Sequence, residues 1–315
     1  MAIKYIKKAD KTASTDEVET RQRVQDILKD IEKRRDDGIR EISRKFDKYE
    51  GDVVISREKI EAVIKSLDQK VKDDVQFSYD RVRKFAEHQL KHLNNNFEVE
   101  LSPGLFAGQK LIPVNTVGCY VPGGRNNYIA SAVMSITTAK VAGVKTIIAA
   151  SPPKDQNGAN PIIIYTANLC GANIIMNLGG IAAIGAFAYG CFGNPEVDMI
   201  VGPGNQYVAE AKRLLYGKVG IDLVAGPTEI AIIADKTADK EIIASDLVGQ
   251  TEHGPNSPAW LFTNDKALCD YVLKRVPELI ADLPEHSKNN AGAAWRDYGE
   301  VILCDTNEEL CQVSD

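Results

Sequence analysis

Val117-Gly-Cys-Tyr-Val-Pro-Gly-Gly124 is the stretch that decides the fold. A short run of apolar and small residues drives straight into a Pro-Gly-Gly turn, which reads as a buried strand with an abrupt end. The same unit recurs downstream. Ile129 to Ala142 reads as a helix, and Thr146 to Ala150 as a strand before Ser151-Pro-Pro153. A helix near Ile162 to Cys170 is followed by a strand from Ile174 to Leu178 that ends in Gly179-Gly180. A small-residue helix carrying Ile184 and Phe187 comes next, then a strand from Met199 to Val201 and the turn Gly202-Pro-Gly-Asn205. Strands that alternate with helices predict an α/β fold, a parallel sheet joined by right-handed crossovers. Ligands of such sheets bind beyond the carboxyl ends of the strands, where these glycine turns collect. Glycine there lets a backbone approach a phosphate or a substrate closely. No Gly-x-Gly-x-x-Gly occurs, and Gly202-Pro-Gly204 lacks the third glycine, so that dinucleotide fingerprint is missing and tight turns alone would account for the glycines.

Upstream, the first hundred residues read as helices. Ser14-x-x-Glu17 makes a capping box ahead of Val24, Ile27, Leu28 and Ile31 at helical spacing. A short helix carries Ile39, Ile42 and Phe46, and Ser56 caps a third with Ile60, Val63, Ile64 and Leu67. A long helix with Val75, Tyr79, Val82, Phe85 and Leu90 on one face ends at Asn94-Asn-Asn96, and the pattern changes at Leu111. Packing is a sufficient explanation of every stripe here.

Beyond the glycine turns lies Ile221-Asp-Leu-Val-Ala-Gly-Pro-Thr-Glu229, then a strand from Ile230 to Asp235 and a helix running to Gln250-Thr-Glu-His253. On a helix Gln250 and His253 are i and i+3 and share one face, with Asp246 one turn earlier on the same stripe. A neutral imidazole nitrogen with oxygen donors suits Zn²⁺ or Mn²⁺. Two donors do not complete a zinc site, and the pattern is equally that of an ordinary helix end.

The 315 residues predict two domains. Hydrophobic and charged fractions of 44 % and 26 % are those of an ordinary globular protein. A net charge of −6 shows no basic excess, and the cations from Lys29 to Arg44 are interleaved with acids, so nucleic acid is not an expected partner. No apolar run approaches the ~20 residues of a membrane span, and the first residues lack a signal-peptide core. Cys119, Cys170, Cys191, Cys269, Cys304 and Cys311 show no paired spacing, as expected of reduced, mostly buried cysteines in a cytoplasmic protein.

Six motifs occur in a fixed order: Val117-Gly-Cys-Tyr-Val-Pro-Gly-Gly124, Ala139-Lys-Val-Ala-Gly-Val144, Val201-Gly-Pro-Gly-Asn205, Ala211-Lys-Arg213, Ala225-Gly-Pro-Thr-Glu229 and Gln250-Thr-Glu-His253. Together they resemble the histidinol dehydrogenase family, from about residue 15 to the end. The resemblance implies two Rossmann-like α/β/α domains with parallel sheets, preceded by N-terminal helices, the second inserted in the first. Residues 1–118 with 230–315 would form the first domain and 119–229 the NAD-binding insert. It implies a homodimer that oxidises a primary alcohol through an aldehyde to a carboxylate with two NAD⁺ and one zinc. Tyr120 and Asn205 would contact NAD. Thr228 stands where the family binds substrate with Ser or Thr, and Gln250 and His253 would ligate zinc and touch substrate.

The chain also departs from the pattern. A glutamine that contacts NAD two residues after the Gly-Gly pair is Ala182 here. The family's catalytic Glu-His pair and two further zinc ligands, an Asp and a His, are expected beyond Asp315, so the 315 residues read as a truncated form holding half a metal site and no general base. Of the four histidines only His253 matches a family position; His88, His92 and His286 do not. Arg125-Asn-Asn-Tyr-Ile-Ala-Ser131 departs from the enzymes acting on L-histidinol, and Ala130-Ser-Ala-Val-Met-Ser-Ile-Thr-Thr138 and Gly254-Pro-Asn-Ser-Pro258 look more like the branch that oxidises 2,3-dihydroxypropane-1-sulfonate. Arg125 would suit an anionic group. Two other readings remain at this point: an aldehyde dehydrogenase with Cys119 as nucleophile, and a non-catalytic binding or scaffold protein.

Overall fold

Strand β4 (Thr116–Tyr120) is buried along its whole length, and its neighbours explain why. The structure, a computed structural model, describes residues 3–11, 18–93, 96–123, 128–224 and 228–315 (for residue 286 the backbone alone). In chain order, strand β1 (Lys4–Lys7) is followed by helices α1 (Val18–Arg34), α2 (Asp36–Phe46), α3 (Arg57–Ser66) and α4 (Gln69–His92). Strands β2 (Asn96–Ser102) and β3 (Leu105–Lys110) form a hairpin. Then come β4, α5 (Ile129–Val141), β5 (Thr146–Ser151), the short β6 (Pro153–Asp155) and β7 (Gly158–Ala159), and α6 (Pro161–Cys170). Next are β8 (Ile174–Asn177), α7 (Gly180–Tyr189), β9 (Met199–Val201), α8 (Gln206–Leu215) and β10 (Gly220–Ile221). The last elements are β11 (Ile230–Ala234), α9 (Lys240–Thr251), β12 (Ala259–Thr263), α10 (Lys266–Ala281), α11 (Glu285–Tyr298), β13 (Gly299–Leu303) and α12 (Asn307–Ser314).

Two compact units result, one of residues 1–17 with 225–315 and one of residues 18–224. The continuous unit holds a parallel sheet in the order β10-β9-β4-β5-β8. Side chains alternate across it. Val117, Cys119, Ile147, Ala149 and Ile175 face α3, α5 and α6, while Tyr120, Ile148, Ala150 and Ile200 face α1, α2, α7 and α8. Each fully buried Ile or Leu in these layers contributes about 1.5–3 kcal/mol. Gly118 keeps the second face thin: a Cβ there would lie 2.5 Å from the Phe187 ring.

The N-terminal helices belong to this unit, where the sequence placed them with the other domain. Their stripes are real: Val24, Leu28 and Ile31 of α1 are buried against α7 and α8. An amphipathic stripe says that a helix packs, but not on which sheet. The capping box at Ser14 lies outside the described residues. Ser56 does cap α3, accepting from the Lys59 N–H at 3.3 Å. The linker behind α2 seals the β8 edge, with Ile55 N–H donating to the Ile175 carbonyl and Asn177 N–H to that of Val53. Buried Asn177 pins it, donating to the Tyr49 hydroxyl and the Asp52 carbonyl and accepting from the Ala159 N–H.

The discontinuous unit holds the sheet β1-β13-β12-β11, parallel except for β1, which runs antiparallel to β13. Helices α9, α10 and α11 bury Ala259, Leu261 and Val301 on one face. On the other, α12 packs with Phe262 and Ile302, and Ile233 stays 51 % exposed.

Candidate active site

In the five-stranded sheet the chain moves outward from β4 through β5 to β8, then returns to the other side of β4 for β9 and β10. The order reverses between β4 and β9, and that gap is where an open α/β sheet forms its binding crevice. Tyr120 is the last residue of β4, and Asn205 closes the turn that follows β9. The two NAD-contacting candidates therefore flank the reversal.

Tyr120 is 5 % exposed. Its hydroxyl oxygen accepts from the Gly180 N–H at 3.1 Å, the first amide of α7, so its proton remains available to donate. Burial pushes the phenol up to about 12, which keeps that proton in place at any physiological pH. Asn205 is exposed and caps α8, its Oδ1 accepting from the Tyr207 and Val208 N–H groups at 3.0 and 3.1 Å. That leaves the Nδ2 donors for a ligand. The turn before it lies tight against β4: Gly202 has φ +118°, and a Cβ on it would fall 2.1 Å from the Tyr120 carbonyl oxygen. The cradle and the free donors fit a nucleotide. Half-buried Asp47 lies beside the Gly179 turn, its Oδ1 3.4 Å from where a Gly179 Cβ would sit. Burial raises that carboxyl to about 6. Ala182 is 1 % exposed in the apolar layer and offers no polar group.

In the other unit, Thr228 lies two residues before β11, and the turn after α9 leads into β12. Ile230 pairs with Ala259 and its N–H donates to the Pro258 carbonyl, so Thr228 and the 253–258 turn share the amino end of that sheet. Helix α9 ends at Thr251, short of the expected His253. The i, i+3 relation survives because the His253 N–H closes a turn on the Gln250 carbonyl at 3.2 Å. Thr228 and His253 are exposed, and the Gln250 Nε2 is buried with no hydrogen-bond partner among the described residues. An imidazole nitrogen and the carboxamide oxygen of Gln250 suit a borderline metal ion. Among the described residues no group of three or more His, Cys, Asp or Glu comes together to hold one, so the present donors amount to half a zinc set.

Cys119 faces α5 in the interior at 0 % exposure, and burial lifts its thiol to about 12. A nucleophilic cysteine needs the opposite environment, so the aldehyde dehydrogenase reading loses its residue. Arg125 lies outside the described residues. Nothing in the sequence marked Asp47; for the Lys212–Asp222 pair the Ala211-Lys-Arg213 motif was the available signal.

The histidinol dehydrogenase family profile matches residues 10–315. The chain belongs to the histidinol dehydrogenase family. It is thus a dehydrogenase by family, with the α/β fold of that family. A histidinol dehydrogenase homolog of Pelagibacter ubique is 67 % identical over 315 residues, all of this chain and 74 % of the relative. A sulfopropanediol 3-dehydrogenase of Ruegeria pomeroyi is 51 % identical over 100 % of this chain and 72 % of its own. The crystal structure of histidinol dehydrogenase from Elizabethkingia anophelis superposes with a TM-score of 0.87 at 31 % identity, over 97 % of this chain and 69 % of that one.

Proposed function

We propose that this chain serves a zinc- and NAD-dependent dehydrogenase, binding the nucleotide and contributing metal donors. It takes a small primary alcohol through an aldehyde to a carboxylate. The observation that carries the reading is the placement of Tyr120 and Asn205 on either side of the strand-order reversal, with no described residue accepting from the Tyr120 hydroxyl or the Asn205 Nδ2. Thr228, Gln250 and His253 are the substrate and metal side of the reading, gathered at one end of their own sheet. Zinc, when bound, would supply a Lewis acid. The 51 % identity to a sulfopropanediol dehydrogenase favours 2,3-dihydroxypropane-1-sulfonate over L-histidinol.

A homodimer belongs to the same proposal, and the β2–β3 hairpin supports it. All of its residues are exposed, yet Phe97 and Val99 share one face of β2 while Glu98 and Glu100 take the other, with Leu101 at the irregularity that follows. Cytoplasmic residence is supported by six free cysteines, five of them buried, and no described helix is long and apolar enough to cross a membrane.

The test counts NADH per alcohol consumed in a chain of the relatives' length, with both alcohols compared side by side. Two NADH and a carboxylate are expected, with faster turnover of the sulfonate. One NADH with free aldehyde would reduce the proposal to a simple alcohol dehydrogenase.

A further inference from the structure

A lysine seven residues after a glycine-rich turn invites assignment as a phosphate ligand. The Ala211-Lys-Arg213 motif does not behave that way. Arg213 is held by a two-point ion pair with Glu210 at 2.7 Å. The Lys212 side chain, 5 % exposed, turns back beneath the turn, donating to the Gly202 carbonyl at 3.1 Å and pairing with Asp222 Oδ1. Asp222 takes the other polar group of the same glycine, with Gly202 N–H reaching its Oδ2 at 2.8 Å. The carboxylate is itself anchored, since Leu223 N–H donates to Oδ1 at 2.7 Å and Asp222 N–H reaches the Ile200 carbonyl at 3.2 Å. Both polar groups of Gly202 are thus clamped by one ion pair, at φ +118° and in contact with the end of β4. A Cβ on Gly204 would fall 2.4 Å from Val208, so the turn is also folded hard onto α8.

We propose that Lys212 and Asp222 are positioning residues for the cofactor: their pair fixes Gly202, and so sets where Asn205 presents its Nδ2 donors, without either side chain touching NAD⁺. The proposal rests on the nucleotide-binding reading of the strand-order reversal. It separates cleanly from a phosphate-ligand role for Lys212. If Lys212 bound a phosphate, removing the neighbouring carboxylate with Asp222→Asn would leave NAD⁺ affinity unchanged or tighten it. The clamp requires the reverse, because the pair that holds the turn is weakened. A donor moved out of hydrogen-bonding position costs its ligand roughly tenfold in affinity, so a loss of ~10-fold is expected.

The experiment titrates the 315-residue protein, Lys212→Met and Asp222→Asn with NAD⁺ by calorimetry, and follows amide hydrogen exchange of residues 202–208 against β4 and β5. Both variants should bind ~10-fold more weakly, with exchange accelerated at 202–208 and unchanged in the two strands. Asp222→Asn keeps an acceptor for the Gly202 N–H and serves if Lys212→Met does not fold. Wild-type affinity in Asp222→Asn, or unaltered exchange at 202–208, overturns the clamp. A wild-type chain that binds no NAD⁺ overturns the nucleotide reading, and with it the cofactor role assigned to the pair.

Discussion

Asn205 uses the two ends of one amide for two different things. Its oxygen completes the first turn of α8, and its nitrogen is left over for a ligand. Substitutions can separate the two. Asn205→Asp keeps a capping acceptor, so urea melts should match wild type, while a carboxylate in place of the donors should weaken NAD⁺ at least ~10-fold. Asn205→Ala should lose the affinity and about 1 kcal/mol of stability together. Undiminished NAD⁺ binding by the Asp variant would remove Asn205 from the site. Asp47 gives a pH signature. Its folded carboxyl is raised to about 6 from an ordinary 3.8, so its desolvation cost is fully present above pH 6 and fades as pH falls toward 4. Asp47→Asn should therefore stabilise the protein at pH 7, by about 1 kcal/mol after solvent screening, and by nothing near pH 4. An equal gain at both pH values would point to some cause other than its titration. The turn positions of Tyr120 and Asn205 were legible because strand ends announce themselves in glycine and proline. Cys119 stood between two readings, a buried thiol and a nucleophile, since a one-residue step in a strand decides between the interior and the crevice. Asp47 was hidden for another reason: its neighbour Gly179 lies far away in sequence.

At the level of elements, the βα repeat could be read almost residue by residue, because each strand is a short apolar run between breakers. The β2–β3 hairpin was not seen. Its period-two pattern was present in Phe97, Val99 and Leu101, but Asn94-Asn-Asn96 read only as the end of α4. A two-stranded ribbon is marginal by itself in water, and an apolar face on one calls for a cover. If that cover is a second copy, Val99→Lys with Leu101→Lys should convert the dimer to a monomer in sedimentation equilibrium. Thermal stability of the remaining helices and sheet should hold. A double variant that stays dimeric would move the interface elsewhere. Helix α9 shows the opposite case: its sequence pattern ran on to His253, whereas the hydrogen bonds stop at Thr251 and leave the histidine on a turn.

For the whole molecule, the sequence disclosed two α/β parts but not which part owned the N-terminal helices. That ownership depends on which buried face each stripe meets, and Val24 or Ile31 would look the same against either sheet. The division has a consequence in time. Strand β1 pairs with β13, joining Lys4 to Leu303 and Lys7 to Val301, while residues 18–224 make a unit of their own. A ribosome adding ~5–20 residues per second needs roughly 15–60 s to travel from one partner to the other. The inner unit can finish folding during that interval; β1 cannot. Nascent chains stalled near residue 260 should therefore resist protease across 18–224 while their first residues are trimmed away, and chains released at full length should protect both. Late in its synthesis this protein is a folded inner unit with a leading strand still waiting for its neighbour.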